Sequence, residues 1–166
     1  NILKQVDLRR FERGSPELFH FMVEAKRLAF EAMAGTFADP AYSAIPIDTL
    51  LSDEFAKRQF SRIRPDQVIE PQHLAVPLEG EGDTTYLTVV DGEGMMVSLI
   101  QSNYRGMGSG LVPTGLGFML QDRGELFSLD PSHPNVYAPG KRPFHTIIPA
   151  FLMKNGAPFM SFGLMG

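Results

Sequence analysis

A change of hydrophobic pattern midway along the 166 residues most constrains the fold. Between Ser15 and Ala34, apolar residues recur at spacings of three and four, which predicts one face of a helix. From Thr84 onward, runs rich in Thr, Val, Tyr, Leu and Ile alternate with turn-forming residues, which predicts strands joined in hairpins. Because the helices come first and the strands later, we expect an α+β fold with helices layered against an antiparallel sheet.

Local signals set the expected helix ends. Ser15 is a predicted N-cap, since a proline and a glutamate follow it, and Gly35 is the predicted stop. A second helix is expected with Asp48 or Ser52 as its cap, ending before Pro65.

Two hairpins are predicted in the second half of the chain. The first joins residues 84–90 to 95–101, and the turn formers Asp91-Gly92-Glu93-Gly94 lie between them. The second joins residues 146–153 to 158–164 through Lys154-Asn155-Gly156, in which Asn-Gly is a strong hairpin signal.

Composition excludes several classes of site. The chain has no cysteine, which rules out disulfides, thiolate zinc sites and a cysteine nucleophile. The net charge of -4 leaves no basic stripe, so no nucleic-acid partner is expected. The four histidines are too dispersed for a zinc motif, and no metal is expected. No apolar run approaches the roughly 20 residues that span a bilayer, so no membrane partner is expected.

The ends of the sequence indicate a fragment. It begins without Met and stops directly after the apolar run at residues 159–164, where a compact domain seldom ends. We therefore expect a segment of a longer protein. The sequence indicates no compartment.

One candidate nucleophile stands where a predicted linker meets the first strand. Residues 64–83 contain several prolines and glycines and few apolar anchors, which predicts an extended surface linker that ends at Gly82-Asp83-Thr84-Thr85. Threonine is common at the start of strands, so this motif alone does not separate a nucleophile from an ordinary strand residue.

The surrounding sequence resembles the gamma-glutamyltransferase family across almost the entire chain. The resemblance rests on several motifs in register: Thr84-Thr85-Tyr86-Leu87-Thr88-Val89-Val90-Asp91, Gly106-Met107-Gly108-Ser109-Gly110, Asn135-Val136-Tyr137-Ala138-Pro139-Gly140-Lys141-Arg142-Pro143, Ser161-Phe162-Gly163-Leu164-Met165-Gly166, and upstream Glu24-Ala25-Lys26-Arg27-Leu28-Ala29-Phe30, Asp39-Pro40 and Leu50-Leu51-Ser52.

The resemblance implies an N-terminal nucleophile hydrolase, with the chain forming part of a four-layer αββα sandwich. Residues 1–83 would end the large subunit, and residues 84–166 would begin the small subunit. Family members cut their own chain in front of a threonine, which the resemblance places at Thr84, so the cleaved bond would follow Asp83. A free α-amine with a pKa of about 8 can then take the proton of the hydroxyl.

Two further catalytic residues follow from the resemblance. Ser102 stands where the family has a threonine on the second strand, and it keeps a hydroxyl that can hydrogen-bond the nucleophile. Gly166 matches the first of two glycines whose backbone N–H groups bind the oxyanion; without the resemblance it would be an ordinary turn glycine. One such donor is typically worth about 3 kcal/mol of barrier, so the segment alone should be a poor enzyme.

The acceptor side of the expected site departs from members that transfer the glutamyl group. Tyr86 replaces their histidine, and Tyr104 replaces their asparagine. A tyrosine offers one hydroxyl on a rigid ring and cannot copy an amide. Hydrolysis by water is therefore expected rather than transfer to an amino acid.

The acyl side departs as well. Arg123 and Leu126 replace the acidic or amide residues that bind an α-amine, and His145 and Thr146 replace paired serines. Arg123 would repel an ammonium and favour a carboxylate, which indicates a glutaryl-like acyl chain as in the related cephalosporin acylases. Alternatively, Arg123 is a solvated loop charge and His145 a packing residue.

The resemblance thus implies a hydrolase of gamma-glutamyl or related acyl amides, similar to glutathione hydrolases, that needs no cofactor. The alternatives are an amidase similar to cephalosporin or glutaryl acylases and a non-catalytic relic of the family. Implied partners are a small-molecule amide substrate and the rest of the protein's own two subunits, in a homo-oligomer of processed heterodimers.

Overall fold

The computed structural model describes residues 1–70 and 82–164. Its α-helices are α1 (Pro16–Thr36), α2 (Ile47–Leu51) and α3 (Asp53–Phe60), and its strands are β1 (Gly82–Val90), β2 (Met96–Arg105), β3 (Ala150–Lys154) and β4 (Ala157–Phe162). The described residues form two compact units, one of residues 1–70 with Ser128–Arg142 and one of residues 82–127 with 143–164. The expected order of helices before antiparallel hairpins is confirmed.

Helix α1 begins as predicted and ends later than predicted. The Ser15 hydroxyl accepts a hydrogen bond from the Leu18 amide at 3.2 Å, which makes it the N-cap. Gly35 was the predicted stop, and this prediction is wrong, because the helix continues to Thr36, whose hydroxyl donates to the Ala32 carbonyl at 2.7 Å. A helical glycine costs only about 1 kcal/mol relative to alanine, which tertiary contacts can offset.

The predicted second helix is interrupted at Ser52. This residue is extended, with ψ at 153°, and its hydroxyl accepts from the Phe55 amide at 3.1 Å, so it caps α3 and separates it from α2. Helix α3 ends at Phe60, ahead of Pro65. None of the helices within residues 1–70 and 82–164 is long and apolar enough to cross a membrane.

The core of the first unit lies between α1 and the segments around it. Its buried side chains are Ile2, Phe21, Ala25, Leu28 and Ile63. Glu24 is buried beside them, and its carboxylate accepts from the Ile69 amide at 2.7 Å. Arg27 lies 3.5 Å from the other oxygen of this carboxylate, so the buried charge has both an ion-pair partner and a hydrogen bond.

The first hairpin is paired regularly from Val90↔Met96 to Thr84↔Ser102, and its register then shifts between Asp83 and Thr84. The strand starts at Gly82, so the predicted linker is wrong at its last two residues. Strand β2 continues to Arg105 and offers pairing partners to both of them. Residues 71–81 of that predicted linker lie outside the described part of the chain.

The second hairpin turns through Asn155 and Gly156, as predicted. Both have positive φ, 52° and 80°, as a two-residue type I′ turn requires. Strand β3 starts at Ala150 rather than at residue 146, because its ladder ends at the pair Ala150↔Phe162.

Tyr86 of the first hairpin packs closely against the chain that leaves β4. Its hydroxyl shares a hydrogen bond with the Ser98 hydroxyl at 2.9 Å. A Cβ atom placed on Gly163 would lie 2.6 Å from two carbon atoms of the Tyr86 ring. Only a glycine therefore fits at this position while the ring stays where it is.

We expect Gly163→Ala to destabilise the full-length protein by about 1–3 kcal/mol, because the new methyl group overlaps the Tyr86 ring. Urea denaturation measures the effect. Tyr86→Ala in the same chain should offset part of the loss. Gly92→Ala is the matched control, since a Cβ there meets no atom of the described residues within 4 Å. Equal effects at the two glycines would contradict the packing argument.

Candidate active site

Thr84 lies where the regular ladder of the first hairpin begins. It is half-buried and pairs with Ser102, whereas Asp83 pairs with Tyr104, so Asn103 is the extra residue of a β-bulge. The peptide between Asp83 and Thr84 therefore coincides with a break in the register of the strand.

Ser102 connects the Thr84 side chain to the bulge. The Thr84 hydroxyl donates to the Ser102 hydroxyl oxygen at 2.9 Å, and the Tyr104 amide donates to the same oxygen at 2.9 Å. A hydroxyl oxygen has two lone pairs, and these two donors use both. Because the Thr84 hydroxyl donates to Ser102, this bond does not use the lone pairs of the Thr84 oxygen, which can meet an electrophile.

Tyr104 adopts an unusual backbone conformation. Its φ of 81° places a bulky residue in the left-handed region, where side chains other than glycine are strained. This conformation accompanies the amide hydrogen bond to Ser102. Such strain persists only where the surrounding structure enforces it, and it clusters at functional sites.

Arg123 contacts both Ser102 and Tyr104. The residue is only 2% exposed; its Nε donates to the Thr146 hydroxyl at 3.0 Å and its Nη1 to the Ser102 carbonyl at 3.1 Å. Its guanidinium carbon lies 5.2 Å from the centre of the Tyr104 ring. The structure thus brings together five predicted site residues: Thr84, Ser102, Tyr104, Arg123 and Thr146. Arg123 is buried and is therefore not the solvated loop charge of the alternative interpretation.

One nitrogen of the Arg123 guanidinium has no partner among the described residues. Its Nη2 is buried and has no hydrogen-bond partner within residues 1–70 and 82–164. Burial lowers the pKa of the guanidinium, while the nearby Asp122 and Tyr104 act in the opposite direction. A buried cation with a free N–H group would gain from an anion beside it.

His145 is exposed, and its Nδ1 accepts from the Ile147 amide at 3.4 Å. Desolvation, and next the positive charge of Arg123, lower the pKa of His145 below the usual histidine value. The neutral imidazole is therefore the favoured form at neutral pH.

Sequence reasoning missed the groups that hold the end of β2. Arg105 forms an ion pair with Glu125 at 2.6 Å, and its amide donates to the Asp122 carboxylate at 3.2 Å. The two acidic residues flank Arg123 in the sequence, but nothing there indicates that they contact Arg105. Gly166 lies outside the described residues. No three His, Cys, Asp or Glu side chains gather into a potential metal site in the part that is described.

The sequence is similar to that of known proteins along its whole length. The family model described as Gamma-glutamyltranspeptidase matches residues 1–166. The "Glutathione hydrolase-like YwrD proenzyme" of Bacillus subtilis is 38% identical over 169 residues, covering 100% of this chain and 31% of that protein. The "Oxamate amidohydrolase proenzyme" of Klebsiella pneumoniae is 36% identical, covering 96% of this chain and 29% of that protein. The chain thus spans less than a third of these relatives.

Among solved structures, the cephalosporin acylase from Bacillus halodurans superimposes with a TM-score of 0.79 at 41% identity. The match covers 96% of this chain and 29% of the acylase. It confirms the predicted fold class, an N-terminal nucleophile hydrolase of mixed helices and antiparallel hairpins.

Proposed function

Because the chain belongs to the gamma-glutamyltranspeptidase family, we propose that it is part of a self-cleaving amide hydrolase whose nucleophile is Thr84. The observation that carries the proposal is the hydrogen bond from the Thr84 hydroxyl to Ser102, located where the β1 ladder shifts its register. The bond orients the hydroxyl, and the register shift lies at the peptide bond that would be cut.

Cleavage proceeds in two steps. The Thr84 Oγ1 attacks the Asp83 carbonyl carbon, the C–N bond between the two residues breaks, and the hydroxyl proton passes to the departing nitrogen. Water then hydrolyses the resulting ester, which yields a free Asp83 carboxyl group and restores the Thr84 hydroxyl. Thr84 now carries an α-amine with a pKa of about 8, which can act as its own base.

The same two atoms of Thr84 then act on a substrate amide. The α-amine accepts the hydroxyl proton as Oγ1 attacks the carbonyl, the amine part of the substrate leaves with a proton, and water releases the acyl group from the ester. The backbone N–H of Gly166 is one proposed donor to the oxyanion. The half-buried Tyr104 replaces an amide side chain on the acceptor side, and this supports hydrolysis over transfer.

Intact mass and a substrate test examine this proposal in the full-length protein. We expect two chains, the second beginning at Thr84, and hydrolysis of a gamma-glutamyl anilide that a dipeptide acceptor does not accelerate. A chain that stays uncut through long incubation would contradict the proposal and favour the non-catalytic relic.

A second candidate, an amidase for acyl groups that end in a carboxylate, is supported by the Arg123 Nη2, which is buried and lacks a partner in the described part of the chain. A guanidinium binds a carboxylate well and repels the ammonium of a gamma-glutamyl group. Oxamate, the compound in the name of one relative, is an amide that carries such a carboxylate.

Arg123→Met tests this candidate, because methionine removes the charge and keeps an unbranched side chain. We expect the ratio of kcat/KM for glutaryl anilide over pentanoyl anilide, which differ in the terminal carboxylate, to fall about tenfold or more. Thr146→Val is the control, since it removes one hydrogen bond of Arg123 and keeps the cation. An unchanged ratio in Arg123→Met would contradict the assignment.

A further inference from the structure

The first structural unit combines residues from both sides of the proposed cleavage point. Residues 1–70 precede Thr84, whereas residues Ser128–Arg142 follow it. We call Ser128–Arg142 the return segment. Every contact between the two would therefore join separate chains once the bond before Thr84 is cut.

Asp39 is the centre of these contacts. Its Oδ1 accepts from Arg142 Nη2 at 2.8 Å, and its Oδ2 accepts from Arg142 Nε at 3.1 Å and from the Arg142 amide at 2.9 Å. The Ala41 amide donates to Oδ1 at 3.1 Å. The two-pronged geometry is the strongest that an arginine and a carboxylate can form. It involves the backbone as well as the side chain of the return segment.

The burial of the pair is unequal. The Asp39 side chain is 2% exposed, whereas the Arg142 side chain is 72% exposed. The hydrogen bonds from Arg142 hold the pKa of Asp39 well below its usual range, so the carboxyl group is ionised at neutral pH. Without Arg142, this buried carboxylate would lose its counter-ion, which is the costly case for a charge away from water.

Two more hydrogen bonds connect the same segments. The Tyr42 hydroxyl donates to the Pro139 carbonyl at 3.2 Å. His133 Nε2 lies 2.9 Å from the Ala34 carbonyl, while its Nδ1 accepts from the Asn135 amide at 3.0 Å. A carbonyl only accepts, so Nε2 donates in this hydrogen bond. These bonds fix the return segment at the end of α1 and along the turn that follows it.

Hydrogen bonds within the return segment also stabilise its conformation. Lys141 Nζ donates to the Pro134 carbonyl at 2.6 Å and to the Val136 carbonyl at 3.0 Å. Gly140 has a φ of 73°, and a Cβ placed on it would lie 3.0 Å from the Tyr42 hydroxyl oxygen. A pre-formed loop loses less conformational entropy on binding than a disordered one, which favours its use as a docking element.

We propose that the return segment, with the Asp39–Arg142 pair at its centre, is a docking contact that holds the two products of self-cleavage together. The partner of each product is the other part of the same polypeptide. This inference rests on the proposed function, because without cleavage before Thr84 there are no separate products.

The test uses the full-length protein with an affinity tag on one end. After cleavage is verified by intact mass, the tagged product is immobilised and the release of the other product is followed in increasing urea. Asp39→Asn keeps the shape of the side chain and removes its charge. We expect the variant to be cut as the wild type is and its products to separate about tenfold faster or more at a given urea concentration.

The control is Asp7→Asn. Asp7 forms a two-pronged ion pair with Arg9, at 2.9 and 3.1 Å, that lies wholly on one side of the cleavage point. The Asp7→Asn substitution should leave the rate at which the two products separate unchanged. Arg142→Gln is a second test variant, in case Asp39→Asn impairs folding before cleavage.

The outcomes separate the two proposals. A wild-type chain that stays uncut contradicts the proposed function and the docking role together. A wild type that is cut, with variants whose products separate at the wild-type rate, overturns the docking role alone. If neither variant is cut while the wild type is, the contact serves formation of the cleavage site, and the docking role is likewise overturned.

Discussion

Full-length protein carrying Thr84→Ala is expected to remain a single uncut chain and to lose amide hydrolysis by roughly 10⁴-fold or more. The substitution removes the oxygen that would attack both the Asp83 carbonyl and the substrate. It also keeps the amine from being released, so the nucleophile and its base are lost together. Intact mass reports the first effect, and anilide hydrolysis the second.

Thr85→Ala is the matched control for this substitution. Thr85 is the next residue of β1, is exposed, and lies on the opposite face of the strand. It should be cut and active like the wild type. If Thr84→Ala is still cut at the same bond, or if both variants lose cleavage equally, Thr84 is not the nucleophile.

Ser102→Ala is expected to slow both cleavage and substrate hydrolysis by about 10²-fold. The change leaves the Thr84 hydroxyl without its acceptor and removes the partner of the Tyr104 amide. Tyr104 would then lose a bond that accompanies its left-handed conformation, and the bulge would be free to relax. A time course of the appearance of the cut chain measures the first rate.

Two variants on the same strand sharpen this test. Ser102→Thr keeps the hydroxyl and should retain most of the rate. Ser98→Ala removes a hydroxyl from the same face of β2, where it binds Tyr86 rather than Thr84, and should have little effect. Cleavage of Ser102→Ala at the wild-type rate would show that Thr84 does not depend on this hydrogen bond.

Features of the fold that depend on local chemistry could be predicted. The N-cap at Ser15 and the Asn155-Gly156 turn each involve a few adjacent residues whose conformational preferences are strong. The helix boundaries at Gly35 and Ser52 were harder, because the preferences there amount to about 1 kcal/mol and tertiary contacts decide them.

The candidate site residues were named from the sequence, whereas their geometry was not predicted. Thr84, Ser102, Arg123 and Thr146 came from the motif pattern, and the structure places them within one hydrogen-bonded group. The bulge at Asn103 has no sequence signal, because alternation of side chains does not reveal an extra residue. The burial of Arg123 depends on partners that lie 21 and 23 residues away, beyond the range of any local pattern.

The register shift lies where the proposed cleavage would create a new chain terminus. Upstream of it, Gly82 and Asp83 pair with Arg105 and Tyr104; downstream, the strand has its own unbroken series of partners from Ser102 to Met96. Cleavage at this junction would leave the downstream strand pairs intact. The new α-amine of Thr84 would therefore be held at a defined position as soon as it forms. The entropy of placing a reactive group would already have been lost during folding, before that group exists.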